Sequence, residues 1–288
     1  NIHSEMVERF NYETPELSRH LWLYEGVTEW AAWAMQVRAG IMTPEEYLAQ
    51  LKQKLTTNDG FDQDLSLTEL GLHATEMADQ YVNIYHKGAV TAGMLDLLLL
   101  KKSKGKIGLR EVVNDLSKEY GPSRPFDETT FFDDLVAKTY PEVSEFIDRY
   151  IRGTDPLPLD EYFGFVGVEY QETAGYDSSK VSVGLGISVV GQDIVIASSN
   201  SKIPEIEKGD IIKSMDGVDI SLANAQQQFG TFHQKKPGDV VHFTMLRGEE
   251  EVEVDLKLPA QEIRHQLTMK EKTKKRQRKL REKWLNNS

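Results

Sequence analysis

The sequence predicts a multi-domain protein of the α-plus-β class, on three observations. Apolar residues recur at helical spacing from Leu21 to Tyr150. A Gly153-Thr154-Asp155-Pro156-Leu157-Pro158 run then breaks the pattern, and beyond it the period shortens to two. We therefore expect a helical domain over 1–153, a β module over 154–260 and a basic helical tail over 261–288.

Residues 1–16 read as an irregular lead-in with Pro15 near its end. The first helix carries Arg19-His20-Leu21-Trp22-Leu23-Tyr24-Glu25-Gly26-Val27-Thr28-Glu29-Trp30 and runs to about Ala39, where Gly40 is a natural stop. Thr43-Pro44-Glu45-Glu46 opens the next, with an N-cap, a proline at the first helical position and a glutamate placed to close a capping box. Thr56–Ser66 is a polar loop; Asp59, Asp62 and Asp64 lack the spacing and downstream glutamate of an EF-hand calcium loop. The helical period resumes at Leu67 and leads through Tyr85 into Ala89–Leu100, apolar nearly all round as a helix buried in a bundle must be. Amphipathic helices around Leu109–Leu116 and Phe131–Val136, and a short one over 141–150, complete the helical part.

In the β module, Val252, Val254, Leu256 and Leu258 alternate with charged residues, as in a strand buried on one face. Val241, Phe243 and Met245 do the same before Arg247-Gly248-Glu249, so the two runs predict a hairpin. Ile194–Ala197 and Ile211–Met215 are further strands, and Ala223–Phe232 is the helix candidate.

Glu25 and Glu29 fall on one face of an otherwise aromatic and apolar helix, and burying two like charges together requires a cation or strong donors beside them. A metal ion would supply that cation. The Leu-Trp-x-x-Glu-Gly-x-Thr pattern around Glu25 resembles the zinc-ligand helix of the M61 glycyl aminopeptidases, relatives of the thermolysin-like zinc peptidases. Tyr85-His86-Lys87-Gly88 resembles that family's Tyr-x-Lys-Gly element. The resemblance implies that 1–153 is the helical carboxy-terminal part of a thermolysin-like catalytic domain. Glu25 would be a zinc ligand, Tyr85 a catalytic donor to the oxyanion of the tetrahedral intermediate, and Glu29 an acceptor that orients a ligating histidine. His86 points about 100° away from Tyr85 on a helix and is read as structural.

The family's His-Glu-x-x-His is absent: none of His3, His20, His73, His86, His233, His242 and His265 sits in that spacing. His3 has no partner at i+4 and is not taken as a substitute ligand. We expect zinc in the complete protein and none bound by these 288 residues alone, which begin just downstream of where the motif would stand and would by themselves be inactive.

Gly184-Leu185-Gly186-Ile187 resembles the carboxylate-binding loop of PDZ domains, with Gly209-Asp210 and Asp216-Gly217 matching that fold's turns; Ser198–Glu207 departs from its small-residue pattern. This implies either peptide binding by strand addition, with peptide carboxy-termini as ligands, or a structural wall packed against the catalytic domain. Two functions follow. One is a zinc aminopeptidase acting on peptides or proteins with small amino-terminal residues. The other is a non-catalytic peptide-binding scaffold acting through the PDZ-like module.

Composition bounds both. A hydrophobic fraction of 39% and a charged fraction of 28% fit a soluble globular chain. The apolar run Val90–Leu100 is too short to span a membrane and contains Asp96. With no cysteine, disulfides, thiolate catalysis and cysteine-bound zinc are excluded. The net charge of −12 argues against nucleic acid as a partner. The segment 264–283 carries ten basic residues against Glu271 and Glu282, and is expected to dock on the acidic body or on a second copy, giving a homo-oligomer. The family resemblance favours an extracytoplasmic location, periplasmic or secreted.

Overall fold

A computed structural model describes residues 2–13, 16–199 and 205–286. Pro15 and part of the Ser198–Glu207 segment lie outside these described residues. The chain divides into two compact units, one built from the residues up to Glu172 together with those from His265 on, the other from Thr173–Arg264.

Unit 1 is helical. It contains α1 (Glu5–Glu8), α2 (Leu21–Tyr24), α3 (Gly26–Arg38), α4 (Pro44–Asn58), α5 (Leu67–Leu72), α6 (Ala78–Tyr81) and α7 (Asn83–Lys102). It continues with α8 (Leu109–Glu119), α9 (Phe131–Ala137), α10 (Glu142–Tyr150) and α11 (Leu159–Phe165). The capping box expected at Thr43 is present: Glu46 N–H donates to Thr43 Oγ1 at 3.2 Å and Thr43 N–H to Glu46 Oε2 at 2.8 Å. Ser66 and Glu69 repeat the arrangement and start α5.

α7 is the axis of the unit. Its side chains from Gly88 through Leu100 are all buried, and α3, α4, α5, α8 and α11 pack around it. The charge inside it, Asp96, is fully buried and meets the Arg38 guanidinium of α3 at 2.7 Å. Its other oxygen accepts the Leu109 N–H at 2.7 Å, supplying the first turn of α8 with a partner that the helix lacks of its own. Burial pushes the Asp96 carboxyl up, against the pull of Arg38. The linker at 153–158 leads directly into α11, which belongs to this unit because Leu159, Tyr162 and Phe163 are buried in its core.

Unit 2 is an antiparallel sheet. A long strand, β1 (Val168–Val181), pairs at the far end of the chain with β8 (Ala260–Met269), and the unit boundary falls within both. Between them come β2 (Leu185–Val190), β3 (Asp193–Ser199), β4 (Ile211–Met215), β5 (Val218–Asp219), β6 (Val240–Arg247) and β7 (Glu250–Lys257), in the order β2-β3-β4-β6-β7 with β5 on β4. The predicted hairpin pairs Val241 with Leu256, Phe243 with Val254 and Met245 with Val252, so one face of both strands fills the core. The helix candidate is shorter than expected: α12 (Ala225–Gly230) gives way to a tighter 3-10 turn over Thr231–Gln234.

The basic segment ends in α13 (Lys275–Leu285), part of unit 1. Leu280, Trp284 and Leu285 form its buried seam, and Arg38 Nε donates to the Trp284 carbonyl at 3.0 Å. No helix among the described residues is long and apolar enough to cross a membrane.

Candidate active site

The two motifs meet through their glycines. Gly26, next to Glu25, and Gly88, three residues after Tyr85, lie at the crossing of α3 with α7. A Cβ on Gly26 would stand 2.6 Å from Gly88 Cα, and one on Gly88 2.8 Å from Gly26 Cα, so the two backbones touch where no side chain fits. This approach sets the amino-terminal end of α3 beside that of α7 and brings the glutamate and tyrosine together.

Glu25 is the hinge between α2 and α3, with φ −98° and ψ −53°. The helical hydrogen bonds run on through it, since its N–H donates to the Leu21 carbonyl at 2.9 Å and its own carbonyl accepts the Glu29 N–H at 3.0 Å. The single helix expected here is therefore two helices with one shared cap. The half-buried Glu25 carboxylate accepts from the Tyr81 hydroxyl at 3.4 Å, and the same hydroxyl lies 3.4 Å from that of Tyr85. The two phenol rings stand edge to face at 6.0 Å. Burial drives the Tyr85 phenol far above the ordinary tyrosine range, and its hydrogen bonds to Tyr81 and Glu25 add to the shift. It stays protonated across the whole physiological range and keeps its hydrogen available as a donor.

Glu29, one turn on, faces a different set. Its Oε1 accepts Trp33 Nε1 at 3.0 Å and an ion pair from Lys54. Burial raises its carboxyl, but Lys54 and Trp33 outweigh that and hold it below the usual range. His86 lies on this side, its ring stacked with Phe61 at 6.2 Å and its Nδ1 buried without a partner. Burial and the charge of Lys54 lower the His86 pKa, so the ring is neutral at pH 7. His3 is paired with Glu8. A cleft of about 360 Å³ opens on another face of α3, lined by Leu23, Tyr24, Val27 and Ala31 with Ile2 and Val113.

Three further residues join this cluster, none of them predicted from the sequence as a site residue. Tyr81 precedes Tyr85 by one helical turn, and that spacing was the available signal. Trp33 follows Glu29 by the same interval. Lys54 is 25 residues from Glu29 and reaches it only through the packing of α4 beside α3, which no local pattern encodes.

Among the described residues no three His, Asp or Glu side chains converge as a metal site requires. Glu25 is a single carboxylate, and a catalytic zinc takes three protein ligands.

In unit 2, Gly184 has φ +64° and leads into β2, an outer strand of the sheet. Leu185, Gly186 and Ile187 begin that strand, and its ladder with β3 shifts register between Gly186 and Ile187. Ile187, Val189 and Val190 are exposed along it.

No curated protein matches the chain. Among solved structures, a crystal structure of an aminopeptidase N family protein from Idiomarina loihiensis aligns with a TM-score of 0.70 and 21% identity over 99% of this chain. The alignment covers 52% of that protein, so the chain spans about half the length of its solved relative. The M61 glycyl aminopeptidase profile matches residues 1–91, a stretch that contains both the Glu25-Gly26-Val27-Thr28 and the Tyr85-His86-Lys87-Gly88 motifs. The match carries the resemblance to the M61 glycyl aminopeptidase family over residues 1–91.

Proposed function

We propose that the chain contributes the Glu25–Tyr85 side of the active site of a zinc aminopeptidase that cleaves peptides with small amino-terminal residues. The supporting observation is the Gly26–Gly88 contact, which sets a half-buried carboxylate beside a protonated phenol. Bound zinc would polarise the peptide carbonyl and activate water. Glu25 is proposed as one of its ligands, the others not being supplied by the described residues. Tyr85 directs a hydroxyl at the charge that develops on the carbonyl oxygen, with Tyr81 setting its orientation. Glu29 keeps Oε2 free of protein partners and is proposed to orient a ligating histidine through it. Bringing one ligand of three, the 288 residues alone are proposed to be inactive.

The test compares the protein purified from its source with this chain alone, measuring zinc content and chelator-sensitive hydrolysis of glycyl and alanyl p-nitroanilides. About one zinc per molecule in the source protein is expected by the three-ligand rule, with zinc and activity both lost in Glu25→Ala. Tyr85→Phe should lower kcat by about 10²–10³-fold with the metal retained, as loss of an oxyanion donor does. Hydrolysis that survives Glu25→Ala would remove the reading, and hydrolysis by this chain alone would remove its last clause.

A second reading rests on the exposed apolar edge of β2. We propose that unit 2 is a PDZ-like module that takes a peptide carboxy-terminus at Gly184-Leu185-Gly186-Ile187 and pairs it along β2. Binding of a carboxy-terminal peptide that is abolished by amidating its end is the expected result.

A further inference from the structure

Away from Glu25, unit 1 carries a second cleft, of about 310 Å³, where the last turn of α7 faces α10 and α11. Its apolar lining comes from Leu98, Phe146 and Phe165, with the rings of Tyr150 and Tyr162. The charged groups around it fall into two sets. Lys102 is paired with Glu142 at 2.5 Å, and Arg149 is held by Asp155 at 2.8 Å and Glu145 at 3.5 Å. Lys101 and Glu161 also line the cleft, yet among the described residues neither has an ion-pair partner, and they stand too far apart to pair with each other. The hydroxyls of Tyr150 and Tyr162 are likewise without a hydrogen-bond partner.

The Lys101 ammonium lies over the Phe165 ring, 4.2 Å from its centre. Burial lowers its pKa and the positive charge of Arg276 on α13 adds to that, while the Glu161 carboxylate, beyond pairing distance, pulls the other way. Burial also raises both tyrosines, which keeps their hydroxyls protonated as donors.

A plain anion would meet the unpaired carboxylate of Glu161, and a plain cation the unpaired ammonium of Lys101; each would leave one charge uncompensated. A ligand with both charges answers both. The cleft lies at the small end of ligand pockets, which suits a molecule the size of one amino acid.

We propose that this cleft binds a free α-amino acid with an apolar or aromatic side chain, its carboxylate on Lys101, its ammonium on Glu161 and its side chain against Phe146 and Phe165. The proposal is independent of the peptidase reading, because it uses none of Glu25, Glu29, Tyr81 or Tyr85.

The test is calorimetric titration of the full chain with L-phenylalanine, N-acetylphenylalanine and phenylalaninamide. Saturable binding of phenylalanine is expected, with each capped analogue at least about tenfold weaker, the loss of one charge-assisted contact. Glu161→Gln and Lys101→Met should each weaken phenylalanine binding about tenfold, and Lys101→Met should remove the discrimination against phenylalaninamide. Tryptophan fluorescence checks that each variant is folded. Should Lys101→Met fail that check, the exposed Glu161→Gln carries the test with N-acetylphenylalanine, which it should no longer disfavour. Absence of saturation with phenylalanine, or binding indifferent to capping and to both substitutions, overturns the proposal.

Discussion

The helical unit closes over Asp96, Arg38, His20, Asn83, Ser18 and Glu128, whereas the core of the β unit is aliphatic and aromatic, with Asp210 as its buried charge among the described residues. Backbone geometry accounts for the difference. Strands in a sheet satisfy their N–H and C=O groups from neighbour to neighbour, so alternation alone defines a dry face. Helices leave their first N–H groups unmet, and where helix ends are buried against one another, side chains must supply the partners. Asp96 serves the Leu109 N–H in this way, and His20 reaches from its ring of Phe126, Phe131 and Phe132 to the Glu128 carbonyl at 2.9 Å. The interior of unit 1 thus adds a few specific polar links to its apolar core, whereas that of unit 2 rests on apolar area.

The sharpest way to break this contrast is Arg38→Met. It leaves the Asp96 carboxylate buried without its cation, and removing one partner of a buried pair costs about 3–5 kcal/mol. All four tryptophans, Trp22, Trp30, Trp33 and Trp284, belong to unit 1, so denaturant unfolding followed by their fluorescence reports that unit alone. The midpoint should fall steeply, while hydrogen exchange of the β6 and β7 amides stays as in the parent. An unchanged fluorescence midpoint would show that the pair does not hold the bundle.

A second effect comes from acid. Burial lowers the His20 pKa from 6.5 to about 4, with the Glu128 carbonyl pulling the other way. As pH falls the unfolded chain takes up this proton first, so the stability contributed by neutral His20 is whole above about 6.5 and is lost progressively down to about 4. The loss is bounded at about 3 kcal/mol at 1.36 kcal/mol per pKa unit. Glu128, raised by its own burial, works in the opposite sense and shallows the slope. His20→Phe removes the histidine's part, and the stability of unit 1 should then vary less between pH 6.5 and 4.

How far the sequence disclosed these features depends on the range of the interaction. The capping box at Thr43, the hairpin around Gly248, the buried run of α7 and the motifs around Glu25 and Tyr85 are local patterns, and each was legible. The Gly26–Gly88 contact, the Lys54–Glu29 pair and the Asp96–Arg38 pair join residues 62, 25 and 58 positions apart, and only packing decides them. Trp284 and Leu285 gave no sign that the basic segment packs into the core by an apolar seam, because ten charges dominate the local composition. The split at Glu25 was hidden for a similar reason: both halves have helical periodicity.

The smallest predicted effect belongs to unit 2. Asp210 is buried, but its guanidinium partner is reached by water: Arg247 holds it through Nε and Nη2, both at 2.8 Å, with a side chain that is 35% exposed. In Arg247→Met the aspartate keeps the Glu207 N–H at 2.8 Å and can be hydrated at the rim, so a smaller loss than in Arg38→Met is expected. The pH response should differ as well. The hydrogen bonds from Arg247 hold the Asp210 carboxyl below 3.8, so its stabilisation is present above that pH and fades only as pH falls further. His242, raised by its hydrogen bond to Asp255, contributes stability below 6.5 and loses it as pH rises, the reverse of His20. Between pH 6.5 and 4 unit 2 should hold or gain stability where unit 1 loses it. Amide exchange in β6 and β7 across that interval, measured beside tryptophan fluorescence, tests this directly; a parallel decline of both signals would mean that the two interiors do not respond separately to acid.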